Sequence, residues 1–249
     1  MRFLALSALA LTTSLSAHAD PVADLKTALA GLSGQGTVHA QAAFTFSSKN
    51  GNDKNSVPAE TTIKVAAEDG PDGLRVTWSH DLLQAVAEES KAKSADPEKR
   101  TPTARALGEL GVEKFNRYLN AVPEILRSLE HAKLLEKKSD LWQGRPARLL
   151  SFKLDLPLSE KDKKIVKEAN ATLKIWVAAD GLPIAAQRSQ HFKGRAMLVI
   201  TFEMSQEESF EYTRIGNRLV VVRHSEEQDN SGAGESSHQK TTSVLTITE

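Results

Sequence analysis

The chain has 249 residues, 32 basic against 32 acidic side chains, no cysteine, and aromatic residues at only 5%. So even a charge balance gives no electrostatic footprint for nucleic acid or an anionic membrane surface. The lack of cysteine excludes disulfides and thiolate metal sites, so the chain must be held together by its own core.

Met1-Arg2, an apolar run over 3–15 and Ala17-His18-Ala19 have the layout of a secretory signal peptide cleaved near Ala19. That run is too short for a membrane span, and no other approaches the roughly 18 apolar residues a span needs. No cysteine follows it, which excludes a lipoprotein anchor at that point. Residues 1–19 are therefore read as a signal peptide and 20–249 as one domain, periplasmic or secreted.

Asp20-Pro21 is an N-cap followed by proline at N1, and Val22, Leu25, Leu29 and Leu32 recur at helical spacing until Gly34. From Thr37 the period becomes two. Val38, Ala40, Ala42, Phe44 and Phe46 lie on one face, with His39, Gln41, Ala43, Thr45 and Ser47 on the other. A polar loop over 49–58 leads to a second strand with Ile63, Val65 and Ala67 inward. Gly70-Pro71-Asp72-Gly73 turns the chain into a third, with Leu74, Val76 and Trp78 inward.

Alternation then stops over 80–131. Leu82, Leu83 and Val86, with Asp81 as N-cap, predict a first helix, and Thr101-Pro102 starts a second. Val112, Phe115, Leu119 and Val122, then Leu126 and Leu129, continue at helical spacing, with Pro123 kinking or restarting the helix. This insertion is the expected cover for the apolar face of the sheet. Strands resume over 134–138 and 147–156, with Leu150, Phe152 and Leu154 on one face, and 159–168 reads as an exposed turn.

The stretch 170–204 sets the register of the later strands. Asp180-Gly181 fits a two-residue type I′ turn, so that Val177 faces Ile184, Ile175 faces Ala186 and Leu173 faces Arg188. Lys174, Trp176, Ala185, Gln187 and Ser189 then share the other face. Lys193-Gly194-Arg195 reads as a three-residue loop placing Arg188 opposite Ile200 and Gln190 opposite Leu198, because a two-residue loop would send Leu198, Ile200, Phe202 and Met204 to the wrong face. Gly216-Asn217 turns the next strand, 226–237 is a polar mobile tip, and 241–248 closes the sheet.

These elements define an α+β fold: a curved antiparallel meander of about ten strands, an open half-barrel with a leading helix and a helical insertion covering its concave face. The sheet curls because strands twist at each step.

No catalytic signature emerges. The seven histidines form no HExxH or HxH, and His39, His191 and His224 fall on the face opposite the apolar one, so neither a metal nor a cofactor is expected. No Gly-x-Ser-x-Gly occurs, Gly34-Gln35-Gly36 follows a helix instead of a strand, and Glu88-Glu89, Glu207-Glu208 and Glu226-Glu227 read as solvated pairs. The chain is expected not to be an enzyme. Arg188, on an apolar face, needs a partner: an acidic residue on a covering helix, water at the sheet rim, or a ligand's polar head group. Trp176 is expected to be more exposed than tryptophans usually are, packed on cross-strand stems or docking a partner.

The cleavable leader, the short helix running into Gly34-Gln35-Gly36 and a long strand, the helical interruption, and a meander containing Trp176-Val177 and Asp180-Gly181-Leu182-Pro183 resemble the LolA/LolB-like lipoprotein-localisation fold of periplasmic carriers and RseB-like envelope proteins. The resemblance implies a non-enzymatic module that buries a lipid, an acyl chain or a lipidated partner between sheet and helices. Inner-face candidates for that ligand are Phe44, Phe46, Val65, Trp78, Ile175, Arg188, Ile200 and Phe202. The alternative is a sensor or interaction module that binds an envelope protein through its surface, Trp176 included.

Overall fold

The computed structural model describes residues 20–32, 34–51, 59–196 and 200–248. The signal-peptide reading of 1–19 and the placement of Leu198 lie outside them. Ten strands form one antiparallel sheet: β1 (Val38–Asn50), β2 (Ala59–Gly70), β3 (Gly73–Thr77), β4 (Ala132–Trp142), β5 (Arg145–Leu154), β6 (Val166–Val177), β7 (Pro183–Ala196), β8 (Ile200–Ile215), β9 (Arg218–Gly232) and β10 (Glu235–Thr248). The order is β3-β2-β1-β10-β9-β8-β7-β6-β5-β4, so the sheet is not closed into a barrel, and β3 and β4 form its edges.

Six helices among the described residues accompany it: α1 (Pro21–Ala30), α2 (His80–Ala95), α3 (Pro102–Glu109), α4 (Val112–Leu119), α5 (Val122–Glu130) and α6 (Asp162–Ile165). The insertion α2–α5 leaves the sheet at one edge, after β3, and rejoins it at the other, in β4. The apolar stripes of its helices thereby cross the inner face. Phe115 and Leu119 of α4 and Ile125 and Leu129 of α5 pack with Phe44, Phe46, Phe152 and Ile175 of the sheet in one buried cluster. Helix α1 starts as its sequence predicts, the Asp20 carboxylate accepting the Val22 N–H at 2.9 Å, and buries Leu25 and Leu29 in the same core. The break between α4 and α5 falls at Asn120-Ala121, just ahead of Pro123. The Ala121 N–H donates to the Leu219 carbonyl at 2.9 Å, fixing that junction to β9.

Several local expectations are corrected. Ser79, not Asp81, caps α2, accepting the Leu82 N–H; Asp81 sits in the first turn, where it still complements the helix dipole. Trp78 lies past the end of β3 and is 38% exposed, because the sheet edge ends before any element covers it. The β6–β7 connection is not a type I′ turn: Gly181 alone takes a positive φ (86°), and the loop runs from Ala178 to Leu182. The Ala178 N–H bonds the Leu182 carbonyl, and Leu182, its own N–H held by Asp180, is buried. Val177 consequently faces Pro183, and Ile184 turns to the outer face beside Trp176.

The larger correction concerns β7 and β8. Lys193-Gly194-Arg195 is inside β7, which pairs with β8 out to Ala196 opposite Ile200, so Arg188 faces Glu208 instead of Ile200. Gly194 serves close packing: a Cβ there would lie 2.3 Å from Phe202 Cζ and 2.4 Å from the Ile165 carbonyl oxygen. The displacement is an even number of residues, so the predicted faces survive it. The 226–237 stretch, read as a mobile tip, is the paired end of β9 and β10 around Ala233-Gly234. A two-residue turn with both φ positive occurs there and at Gln143-Gly144, which joins β4 to β5.

Candidate functional site

A cleft opens on the inner face between α4–α5 and strands β6–β9. Its floor is apolar, formed by Leu173, Ile175, Ala186, Phe210 and Val221, with Ile125 above. The free space is about 50 Å³, room for a few waters at ~10–15 Å³ each and far below the ~300 Å³ at which ligand pockets begin.

Polar side chains close this space. Both tyrosines of the chain are here. The Tyr118 hydroxyl lies 2.9 Å from His224 Nδ1 and 2.9 Å from Ser243 Oγ, joining α4 to β9 and β10. Burial pushes its ionisation above the ordinary tyrosine range. Tyr212 stacks on Phe210 with centroids 6.1 Å apart and makes no hydrogen bond among the described residues. Burial and the neighbouring Glu208 charge hold its phenol neutral as well.

Arg188 projects from β7 to three partners. Its guanidinium donates to Ser128 Oγ at 3.0 Å and lies 3.8 Å from carboxylate oxygens of Glu124 and Glu208. Two of these three belong to α5, so the arginine has its acidic residue on a covering helix. Glu208 also has His224 Nε2 at 3.7 Å. Burial alone would raise its pKa, but the His224 imidazole and the Arg188 and Arg117 charges outweigh that and hold it below the usual carboxylate value.

His224 is 2% exposed and faces inward, a correction to its predicted outer position. Glu211 pairs with Arg223 but Tyr212 pairs with Val221, so β9 carries one extra residue, and a one-residue bulge inverts every side chain beyond it. The same inversion turns Glu226 inward, directly opposite Glu208. Neither glutamate is therefore a solvated surface residue: Lys114 lies 3.7 Å from Glu226, and Gln206 donates to it at 2.8 Å. Ligand atoms of Glu208, His224 and Glu226 lie within 4.8 Å of one another. Motif spacing could not show that grouping, because it is built across two strands.

Of the predicted ligand residues the cleft brings together only Ile175 and Arg188. Phe44, Phe46 and Val65 are fully covered core. Trp78 and Ile200 are exposed at 38% and 36%, and Phe202 is half-buried against Gly194. Trp176, expected to be exposed, is 7% exposed: its ring lies 4.6 Å from that of Trp142, and its Nε1–H donates to Asp140 Oδ2 at 2.9 Å. It is the centre of a small outer-face cluster with Leu149 and Ala185. No helix among the described residues is long and apolar enough to cross a membrane.

These features define an α+β protein with an open antiparallel sheet, one face covered by helices. No family model, no curated protein and no solved structure matches the chain.

Proposed function

We propose that the protein is a non-enzymatic binding protein of the cell envelope, of the LolA/LolB-like kind, exported by cleavage near Ala19. Its ligand would be hydrophobic: a lipid, an acyl chain or a lipidated partner taken up between the sheet and α5. The observation that carries this reading is the cleft itself, an apolar floor under a helix that Arg188 ties down. At about 50 Å³ the cleft has no room for an acyl chain, which enters only if a covering helix lifts.

The two helices differ in how they are held. Helix α4 is pinned along its length by Tyr118 to two strands, and the Ala121 N–H, at the N-cap of α5, ties the junction of the two helices to β9. Beyond that junction, the side-chain ties of α5 to the sheet run through Arg188, a charged clasp that a ligand's polar head can replace. Helix α5 is thus the moving part and Arg188 the group it uncovers.

Mass spectrometry of an organic extract, from protein purified natively, tests this. A stoichiometric lipid or acyl species is expected. An empty extract, together with unchanged amide exchange in α5 when a lysophospholipid is titrated in, would overturn it and shift the function to a protein partner bound on the surface.

A further inference from the structure

A second pocket, sharing no lining residue with the cleft, is formed where the far end of β1 meets the α2–α3 connection. Its volume is about 360 Å³. Five cationic side chains reach it from four separate segments: Lys49 of β1, Lys93 of α2, Lys99 and Arg100 of the connecting loop, and Arg105 of α3. Among the described residues Glu98 is the one acidic residue in its lining. The chain as a whole has a formal net charge of +0, so this excess is local.

Two carboxylates beside the pocket are bound to backbone N–H groups. Glu89 accepts the Thr103 and Ala104 N–H groups at the start of α3, each at 3.0 Å, and Asp96 accepts the Glu98 N–H at 3.1 Å. Among the described residues Lys93, Lys99, Arg100 and Arg105 form no ion pair. Lys93 is directed to the Pro97 and Lys99 carbonyls at 3.4 Å, which shapes the loop, and the Arg105 guanidinium is held 5.0 Å above the Phe46 ring. Arg105 lines the pocket and its guanidinium makes no hydrogen bond among the described residues, so its N–H groups are available to a ligand.

We infer that this pocket binds a phosphate-bearing anion. Arginine forks and lysine ammonium groups are the side chains that recognise tetrahedral oxyanions, by charge-assisted hydrogen bonds. The space exceeds that of one phosphate, and the four cations without an ion pair, even offset by Glu98, exceed the charge of one dianion. The ligand is therefore a molecule with more than one phosphate charge, either a soluble phosphate compound or the phosphate head group of a lipid.

The test is calorimetric titration of the purified full chain with pyrophosphate, with flotation on phosphatidic acid vesicles as a second arm. Saturable pyrophosphate binding is expected, weakened about tenfold or more in Lys99→Gln/Arg100→Gln. The pair Lys133→Gln/Lys137→Gln on edge strand β4 removes the same charge elsewhere and should leave binding unchanged. Binding of pyrophosphate without flotation identifies a soluble ligand, and flotation lost in Lys99→Gln/Arg100→Gln identifies a lipid head group. Absence of both, or equal weakening by the two double variants, would overturn the assignment.

Discussion

The Tyr118 hydroxyl is 2.9 Å from Nδ1 of His224, across 106 residues of sequence, and Ser243 completes the contact at 2.9 Å. On the other side of the same ring, Nε2 lies 3.7 Å from a Glu208 carboxylate oxygen, so the contact extends to a third strand. This network joins α4 to the middle of the sheet through buried groups. Tyr118→Phe keeps the ring packing but leaves His224 and Ser243 each short of a partner. The variant should lose about 1–3 kcal/mol, read as a lower urea midpoint with an unchanged slope.

Arg188 gives a second prediction. The Glu124 end of its clasp is 29% exposed, where ion pairs contribute about 0.2–1 kcal/mol, whereas Glu208 is 12% exposed. Glu124→Gln should therefore cost little, while Arg188→Ala leaves a half-buried carboxylate facing Glu226 and should cost about 1–3 kcal/mol. Both variants should speed amide exchange in α5 and leave α4 protected. Equal speeding in the two helices would contradict the assignment of α5 as the moving part.

What the sequence showed of this fold was its alternation. Val38 through Phe46, Ile63 to Ala67 and Leu150 to Leu154 are inward as their period predicts, because burial of one sheet face leaves a direct imprint on a strand. Turns left a weaker imprint. Lys193-Gly194-Arg195 has loop composition yet lies within a long strand, since the space at Gly194 is taken by Phe202 of the paired strand and Ile165 of α6, contacts that the local triplet does not show. The polar cleft was the least legible part. His224 and Glu226 reach it only through a bulge in β9, and nothing in their local sequence marks that bulge. The one local signal for the site was a cation, Arg188, on an otherwise apolar face.

Acid should weaken the protein through Glu208. Its folded pKa is held below the ordinary value of 4.5 despite burial, by His224 and by the Arg188 and Arg117 charges. A depressed carboxylate contributes stability above its unfolded value and loses it as pH falls through the folded one. Unfolding free energy should thus fall below about pH 4.5, and Glu208→Gln, already less stable at neutral pH, should show a shallower acid limb. At the alkaline end Tyr118 and Tyr212 act in the opposite sense. Both are raised above 10.0 in the folded state, so their contribution is complete below that value and is lost as pH rises further.

Gly194 supplies the sharpest steric prediction. It sits opposite Phe202 in the β7–β8 ladder, and the atoms a side chain would meet are an aromatic carbon at 2.3 Å and a backbone carbonyl oxygen at 2.4 Å. The ring could swing away, but the Ile165 carbonyl belongs to the α6 backbone and moves only with that helix. Gly194→Ala should therefore cost about 1–3 kcal/mol, as overpacking does, even though alanine is the better strand former. Had this glycine been the left-handed residue of a loop, the same change would also destabilise, but through backbone strain. The two causes separate in the double variant with Phe202→Leu. A smaller side chain at 202 should recover part of the loss if crowding is the cause, and none if strain is, and thermal unfolding of the four chains decides between them.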